Sequence, residues 1–471
     1  MKQEKNFEAK TFGLLQSLSS REKRRFGNEL KLTSEKAGRL PELFEFLVEN
    51  PALDKENLAK KLFPKEAFDD KRIRYLLSNL NVALEKFLLV RHLETNPAIS
   101  NALLMQELIQ RGAEKAFHGV VNKQEQLLGE ADRPRDSNFF LYQFLTEEGL
   151  LMAAGKNFKR HETSNIETVV DRLDKFYLAR KLQLCCEIYN KHNMLGTNYE
   201  VFLLDEIIQY LGHYPMDDTP AISIYFKILK TLTESENESH FKDLRLLLDA
   251  NESLFTADEL RDMYQYALNY CIKKINLGSG EYQRTLFEIY QRTLENRVLL
   301  IQNRISQWDY KNIVTLCMRL KELDWAHLFI QKYKDYLVEE ERENAFKFNL
   351  AYLNFMRKEY SKTLNLLRKL DFTDVFYQLD TRAILLKTYF EIGDELALDY
   401  HIKAFRVFLK RNKKISNYQR LIYSNLLAFT KQIIQCGMSH KKLDKLKQTI
   451  EFKRQTADLP WLLEKIDEGG F

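Results

Sequence analysis

Residues Leu385-Leu386-Lys387-Thr388-Tyr389-Phe390-Glu391-Ile392-Gly393-Asp394 close the third copy of a pattern that recurs along the chain at an offset of 35 residues. Within 311–411 one apolar stripe aligns as Ile313/Phe348/Ala383, then Leu316/Ala351/Leu386, then Leu320/Phe355/Phe390. The steps of three and four between these positions are those of one buried helix face. A second helix opens after each copy, at Asp324-Trp325, Glu359-Tyr360 and Asp394-Glu395. Acidic residues recur there because a helix N-terminus favours negative charge.

A two-helix unit of this length resembles tetratricopeptide-type repeats, and the quoted stretch is similar to that family's first helix and its Gly-Asp turn. The resemblance implies stacked helix hairpins. It carries over no set of peptide-binding residues. The small residue the family places early in its second helix is Leu328, Thr363 or Leu398 at this offset, and the one in its first helix is present only as Ala351.

Outward from this stretch the chain stays helical. No Pro lies between Pro220 and Pro460, and no Gly between Gly280 and Gly393. Helices joined by short polar turns follow from such a stretch. Period-2 alternation is nearly absent, so the fold class expected is all-α. The strongest interior break is Tyr214–Pro220, followed by Arg133-Pro134-Arg135-Asp136 and the turn Leu277-Gly278-Ser279-Gly280. Ser19-x-x-Glu22 and Thr256-x-x-Glu259 read as capping boxes, in which the hydroxyl accepts from an early N–H and the carboxylate reaches back. Asp54 and Asp69/Asp70 read as further N-caps. The organisation expected is an N-terminal helical domain over 1–97, long-helix hairpins over 98–213, and tetratricopeptide-like repeats with a basic end over 221–471. Together these make an α-α superhelix carrying a small N-terminal domain. The layout is similar to bacterial helical-repeat proteins.

Residues 19–95 differ, with Pro41, Pro51, Pro64 and helices that look short. Three segments follow one another: Leu43–Val48, Asp54–Phe63 and Asp70–Leu80. A tight turn between the second and third gives the order of a helix-turn-helix. This order is similar to the winged-helix module of bacterial transcriptional activators. The resemblance implies exposed DNA-facing candidates at Lys71, Arg72, Arg74, Tyr75, Ser78 and Asn79. Lys and Arg can neutralise phosphates, and Asn or Arg can pair with base edges. Where a wing hairpin would stand, Leu88–Leu93 continues the helical pattern.

The composition excludes several classes. The chain has 471 residues, 45% of them hydrophobic, which excludes global disorder. The charged start has no apolar core of signal-peptide length behind it, and no apolar run approaches a membrane span. Five cysteines without a C-x-x-C pair argue against a disulfide framework and point to a reducing cytoplasm. Residues 401–471 carry fifteen Lys+Arg against six Asp+Glu, while 1–400 are slightly acidic. An acidic partner, protein or nucleic acid, suits that end. On the helix over 405–414, Phe405, Phe408 and Leu409 share one face. Arg406, Lys410, Lys413 and Lys414 then line the outside as candidate contacts.

A search for chemistry returns little. Gly278-Ser279-Gly280 lacks the Gly-Lys-Ser/Thr of a phosphate loop. Nine histidines include no H-E-x-x-H pair, and His327 sits in an apolar helix pattern. Cys185-Cys186 has no helix N-terminus or basic neighbour to lower a thiol pKa. No catalytic residue, metal site, cofactor or small-molecule substrate is assigned. The function expected is a non-enzymatic scaffold or adaptor that binds a protein partner on the concave surface of the array. The alternative is a nucleic-acid-binding regulator using the N-terminal helix-turn-helix.

Overall fold

The computed structural model describes residues 2–32, 38–50, 55–64, 66–131, 133–156, 165–195, 200–368, 370, 372, 374–437 and 439–470. Asp54 lies outside them. Among the described residues there are 23 α-helices, two single 3₁₀ turns and no strand beyond an isolated Ile301–Arg304 bridge. Contacts divide the chain into two units, residues 1–184 with 212–222 and residues 185–211 with 223–471.

The first unit begins with α1 (Lys2–Ser17), α2 (Ser20–Leu32), α3 (Leu40–Glu49), α4 (Lys55–Leu62) and α5 (Asp70–Thr95). One core joins them, centred on Leu43, Leu58, Leu62, Leu80 and Leu84. Phe26 of α2 meets Phe44 edge-on at 5.1 Å and Phe87 at 5.2 Å. Gly27 lies under Phe44, where an added Cβ would stand 3.1 Å from the ring. Ser19 caps α2 as the sequence predicts, its N–H donating to Glu22 at 2.9 Å. Short helices are expected here, yet α5 runs 26 residues. Nothing between Asp70 and the Asn96-Pro97 break interrupts it. Next come α6 (Pro97–Arg111), α7 (Glu114–Gly129), α8 (Ser137–Lys156) and α9 (Ile166–Leu195), which leaves the first unit after Leu184. Arg133–Asp136 separates α7 from α8, and Tyr214–Pro220 separates α10 (Leu204–His213) from α11 (Pro220–Thr233), as the breakers predict.

The second unit continues through α12 (Glu238–Asn251), α13 (Ala257–Asn276), α14 (Tyr282–Glu295), α15 (Gln307–Leu320), α16 (Leu323–Tyr333), α17 (Glu339–Met356) and α18 (Tyr360–Leu367). It closes with α19 (Val375–Glu391), α20 (Glu395–Arg411), α21 (Asn417–Cys436), α22 (His440–Lys453) and α23 (Leu459–Asp467). Neighbouring helices pack as pairs, and one turn recurs between partners. Gly112, Gly278, Lys321, Lys358 and Gly393 all take the left-handed conformation. The next residue's N–H donates to the carbonyl five back: Ala113 to Leu108, Ser279 to Lys274, Glu322 to Cys317, Glu359 to Asn354 and Asp394 to Tyr389, at 2.8–3.1 Å. This is the Schellman ending, which satisfies orphan carbonyls of one helix and starts the next at once.

The turns correct the register read from sequence. Aligned on their left-handed residues, Lys321, Lys358 and Gly393 step by 37 and then 35. Glu322, Glu359 and Asp394 are the equivalent N-caps, and Asp324 falls in the first turn of α16. The small residue of the second helix then becomes Ala326 in the first copy, fully buried beside its counterparts Thr363 and Leu398, while Leu328 is exposed. Ile313, Phe348 and Ala383 are all buried. So are Val314, Cys317 and Met318, which is why either register reads as an apolar stripe.

Side chains also connect first helices two hairpins apart. Lys311 of α15 pairs with Asp380 of α19, and its ammonium lies 4.7 Å from the Tyr377 ring centroid. The Tyr377 hydroxyl donates to the Gln307 carbonyl at 2.8 Å. In the same way Trp461 Nε1 of α23 donates to Glu391 Oε1 at 2.9 Å, and Lys465 pairs with Glu391 at 2.9 Å. Lys387 pairs with Asp458 at 3.0 Å. Burial works against the charge on Lys387 and Lys465, but Asp458 for the first and Glu468 with Glu391 for the second hold each above the usual lysine range.

Candidate macromolecule-binding surfaces

The N-terminal candidates sit at the start of α5. Asp69 caps it, its carboxylate accepting from the Lys71 N–H at 2.9 Å and the Arg72 N–H at 3.3 Å. Lys71, Arg72, Arg74 and Tyr75 are exposed, and Ser78 and Asn79 are half-buried. The arginines have local partners. Arg72 has its guanidinium carbon 3.6 Å from the Phe63 ring centroid and pairs with Glu66, and Arg74 pairs with Asp70. A phosphate would have to compete with both carboxylates. Lys71, Tyr75 and Asn79 share the accessible side but make only a small cationic footprint.

The C-terminal candidates differ. On α20 the buried side carries Leu398, Ile402, Phe405 and Leu409, with Phe408 at its edge. Arg406 and Lys410 point outward, and Lys413 and Lys414 follow in the exposed turn. Among the described residues none of these four cations pairs with a carboxylate. The turn is fixed from behind, because Arg420 donates to the Leu409, Asn412 and Ile415 carbonyls. The lysines are therefore not needed to satisfy the helix end. The sequence reading missed the apolar part of this surface. Leu396, Tyr400 and Val407 are exposed on α20, most strongly Leu396 at 86%. The signal was present: 396, 400, 403, 407 and 410 step by four and three, opposite the buried row.

A cleft of about 240 Å³ lies between α12, α13 and α14, lined by Arg245, Asp249, Tyr264, Glu288 and Arg292 among others. Its cations are already in use. Arg292 Nε meets Glu252 at 2.7 Å, and Arg245 meets Glu288 at 3.0 Å. Between α15 and α19 the contacts described above occupy the space with the protein's own side chains.

Cys185, Cys186, Cys271 and Cys317 are buried, and all five cysteines are free thiols. Burial pushes Cys186 far up and Cys271 and Cys317 up to about 12, so these thiols stay protonated and poorly nucleophilic. Among the described residues no group of three His, Cys, Asp or Glu could hold a metal ion, and no helix is long and apolar enough to cross a membrane. Comparison with models of known protein families, with curated proteins and with solved structures finds no match.

Proposed function

We propose that the chain is a non-enzymatic scaffold or adaptor, a tetratricopeptide-like α-α superhelix that binds an acidic protein partner in a reducing cytoplasm. One observation carries this reading. Four cations that pair with no carboxylate among the described residues, Arg406, Lys410, Lys413 and Lys414, stand beside exposed Leu396, Tyr400 and Val407 on one helix and the turn after it. Cations alone would suit any polyanion, whereas large apolar groups among them suit a protein surface, where aromatic and aliphatic anchors supply binding energy and charges supply selectivity. The working face is then the outer side of α20. The five free thiols suit the compartment.

The test is a nuclease-treated pull-down comparing the parent chain with two variants. One reverses Arg406, Lys410, Lys413 and Lys414 to Glu, and the other changes Leu396 and Tyr400 to Ser. Both should lose the same captured protein. A captured set unchanged by both variants would sink the reading. Binding to duplex DNA that falls steeply with salt and depends on Lys71 would favour the regulator alternative instead.

A further inference from the structure

Helix α9 has two apolar sides, and among the described residues one is covered and the other is partly exposed. Leu178, Ala179 and Leu182 are buried on one side, and Val169 is buried at a flank of the other. On the opposite side Ile166, Val170, Leu173, Tyr177 and Leu184 are 40–54% exposed. Their spacing of four, three, four and seven is the a/d seam of a coiled coil, with Arg180 in the one polar seam position. From 166 to 184 the seam is roughly 27 Å long at 1.5 Å per residue. An apolar stripe of that length, interrupted only at Arg180, marks an interaction surface.

The charges beside the seam select the occupant. Glu167 and Asp174 flank its first half and Lys181 its second, Arg180 sits in the seam itself, and Asp171 and Arg172 lie on the far side. Lys175, near the midpoint, is tied to Asp171 and Asp218. A parallel copy of the helix would set Arg180 against Arg180 within the seam. An antiparallel copy centred near Lys175 sets Ile166 against Leu184 and Leu173 against Tyr177, and it brings Glu167 close to Lys181. Val170 then rests on the aliphatic stem of Arg180. The seam is thus complementary in shape and in its two Glu167–Lys181 pairs, against one like-charge contact where Asp174 meets Asp174 of the copy at the axis.

We propose that α9 pairs with α9 of a second copy of this chain as an antiparallel two-helix coil. Light scattering and sedimentation of the full chain at micromolar concentration should give twice the 56.0 kDa chain mass. Leu173→Glu should weaken the dimer about 100-fold, as loss of a central apolar anchor does. It should leave helicity and the urea midpoint unchanged, because Leu173 faces water in the single chain. Glu167→Lys and Lys181→Glu should each weaken pairing, and the two together should restore it. The chain with both Ile166→Cys and Leu184→Cys should oxidise to a covalent dimer, while Ile166→Cys alone should not. A monomer throughout, a dimer indifferent to Leu173→Glu, or cross-linking by Ile166→Cys alone would each overturn the proposal.

Discussion

Glu391 serves three groups at once. It accepts from Trp461, pairs with Lys465, and takes the Tyr360 hydroxyl at 3.3 Å. A carboxylate with this many buried partners is costly to delete, because an ammonium and an indole N–H lose their acceptor together. Glu391→Ala should therefore destabilise the chain by about 3 kcal/mol in urea unfolding. Glu391→Gln keeps an acceptor for Trp461 and should lose less. At this scale the sequence is legible on one side only. The period of 405–409 correctly sends Phe405 and Leu409 inward and Arg406 outward. Lys387 and Glu391 sit in the stretch that decides the fold, yet Lys387 is buried and Glu391 half-buried, against the usual habit of charged helix positions. Their partners Asp458, Trp461 and Lys465 lie some seventy residues away, beyond the reach of any local pattern.

Among the elements, the turn between paired helices is the recurrent unit. Gly393 takes φ +71° with nothing within 4 Å of an added Cβ, so a substitution there is penalised by backbone strain alone. Gly393→Ala should cost about 1 kcal/mol. Lys358 holds the same position with φ +62°, and Lys358→Gly should gain several tenths of a kcal/mol, strain relief being partly offset by the freer unfolded chain. Thermal unfolding of the two variants, with opposite signs, checks both. The start of each pair is more legible than its end. A buried apolar residue followed by a hydroxyl cap opens α13, α15 and α21 as Phe255-Thr256, Ile305-Ser306 and Ile415-Ser416. Ser416 forms the full capping box with Gln419, whereas Glu259 Oε1, expected to reach back to Thr256, accepts from the Tyr225 hydroxyl at 2.9 Å. Turn ends at Lys321 and Lys358 lack the glycine that would announce them, and this is how the first repeat slipped by two residues.

For the molecule as a whole, acid tests the ties between distant helices. Arg25 of α2 grips both oxygens of Glu94 of α5 at 2.7 and 2.8 Å, and Arg91 adds a third bond at 2.9 Å. These hydrogen bonds, Arg25's first, pull the Glu94 carboxyl down to about 2 from its ordinary 4.5. The folded state thus prefers the ionised form more than the unfolded chain does. The resulting stability is complete above about pH 4.5 and is lost as pH falls toward 2. Glu94→Gln should lower the urea midpoint near neutrality, and its difference from the parent should shrink through that window. A difference that stays constant on acidification would show that the clamp does not stabilise the fold through its charge.

The pairing of α19 with α23 also sets a clock on synthesis. Asp458, Trp461 and Lys465 are translated roughly seventy residues after Lys387 and Glu391. At about 5–20 residues per second that is a delay of roughly 4–14 s. During it a nascent α19 holds two charges whose partners in the folded chain, Asp458 for Lys387 and Lys465 for Glu391, have not yet been made.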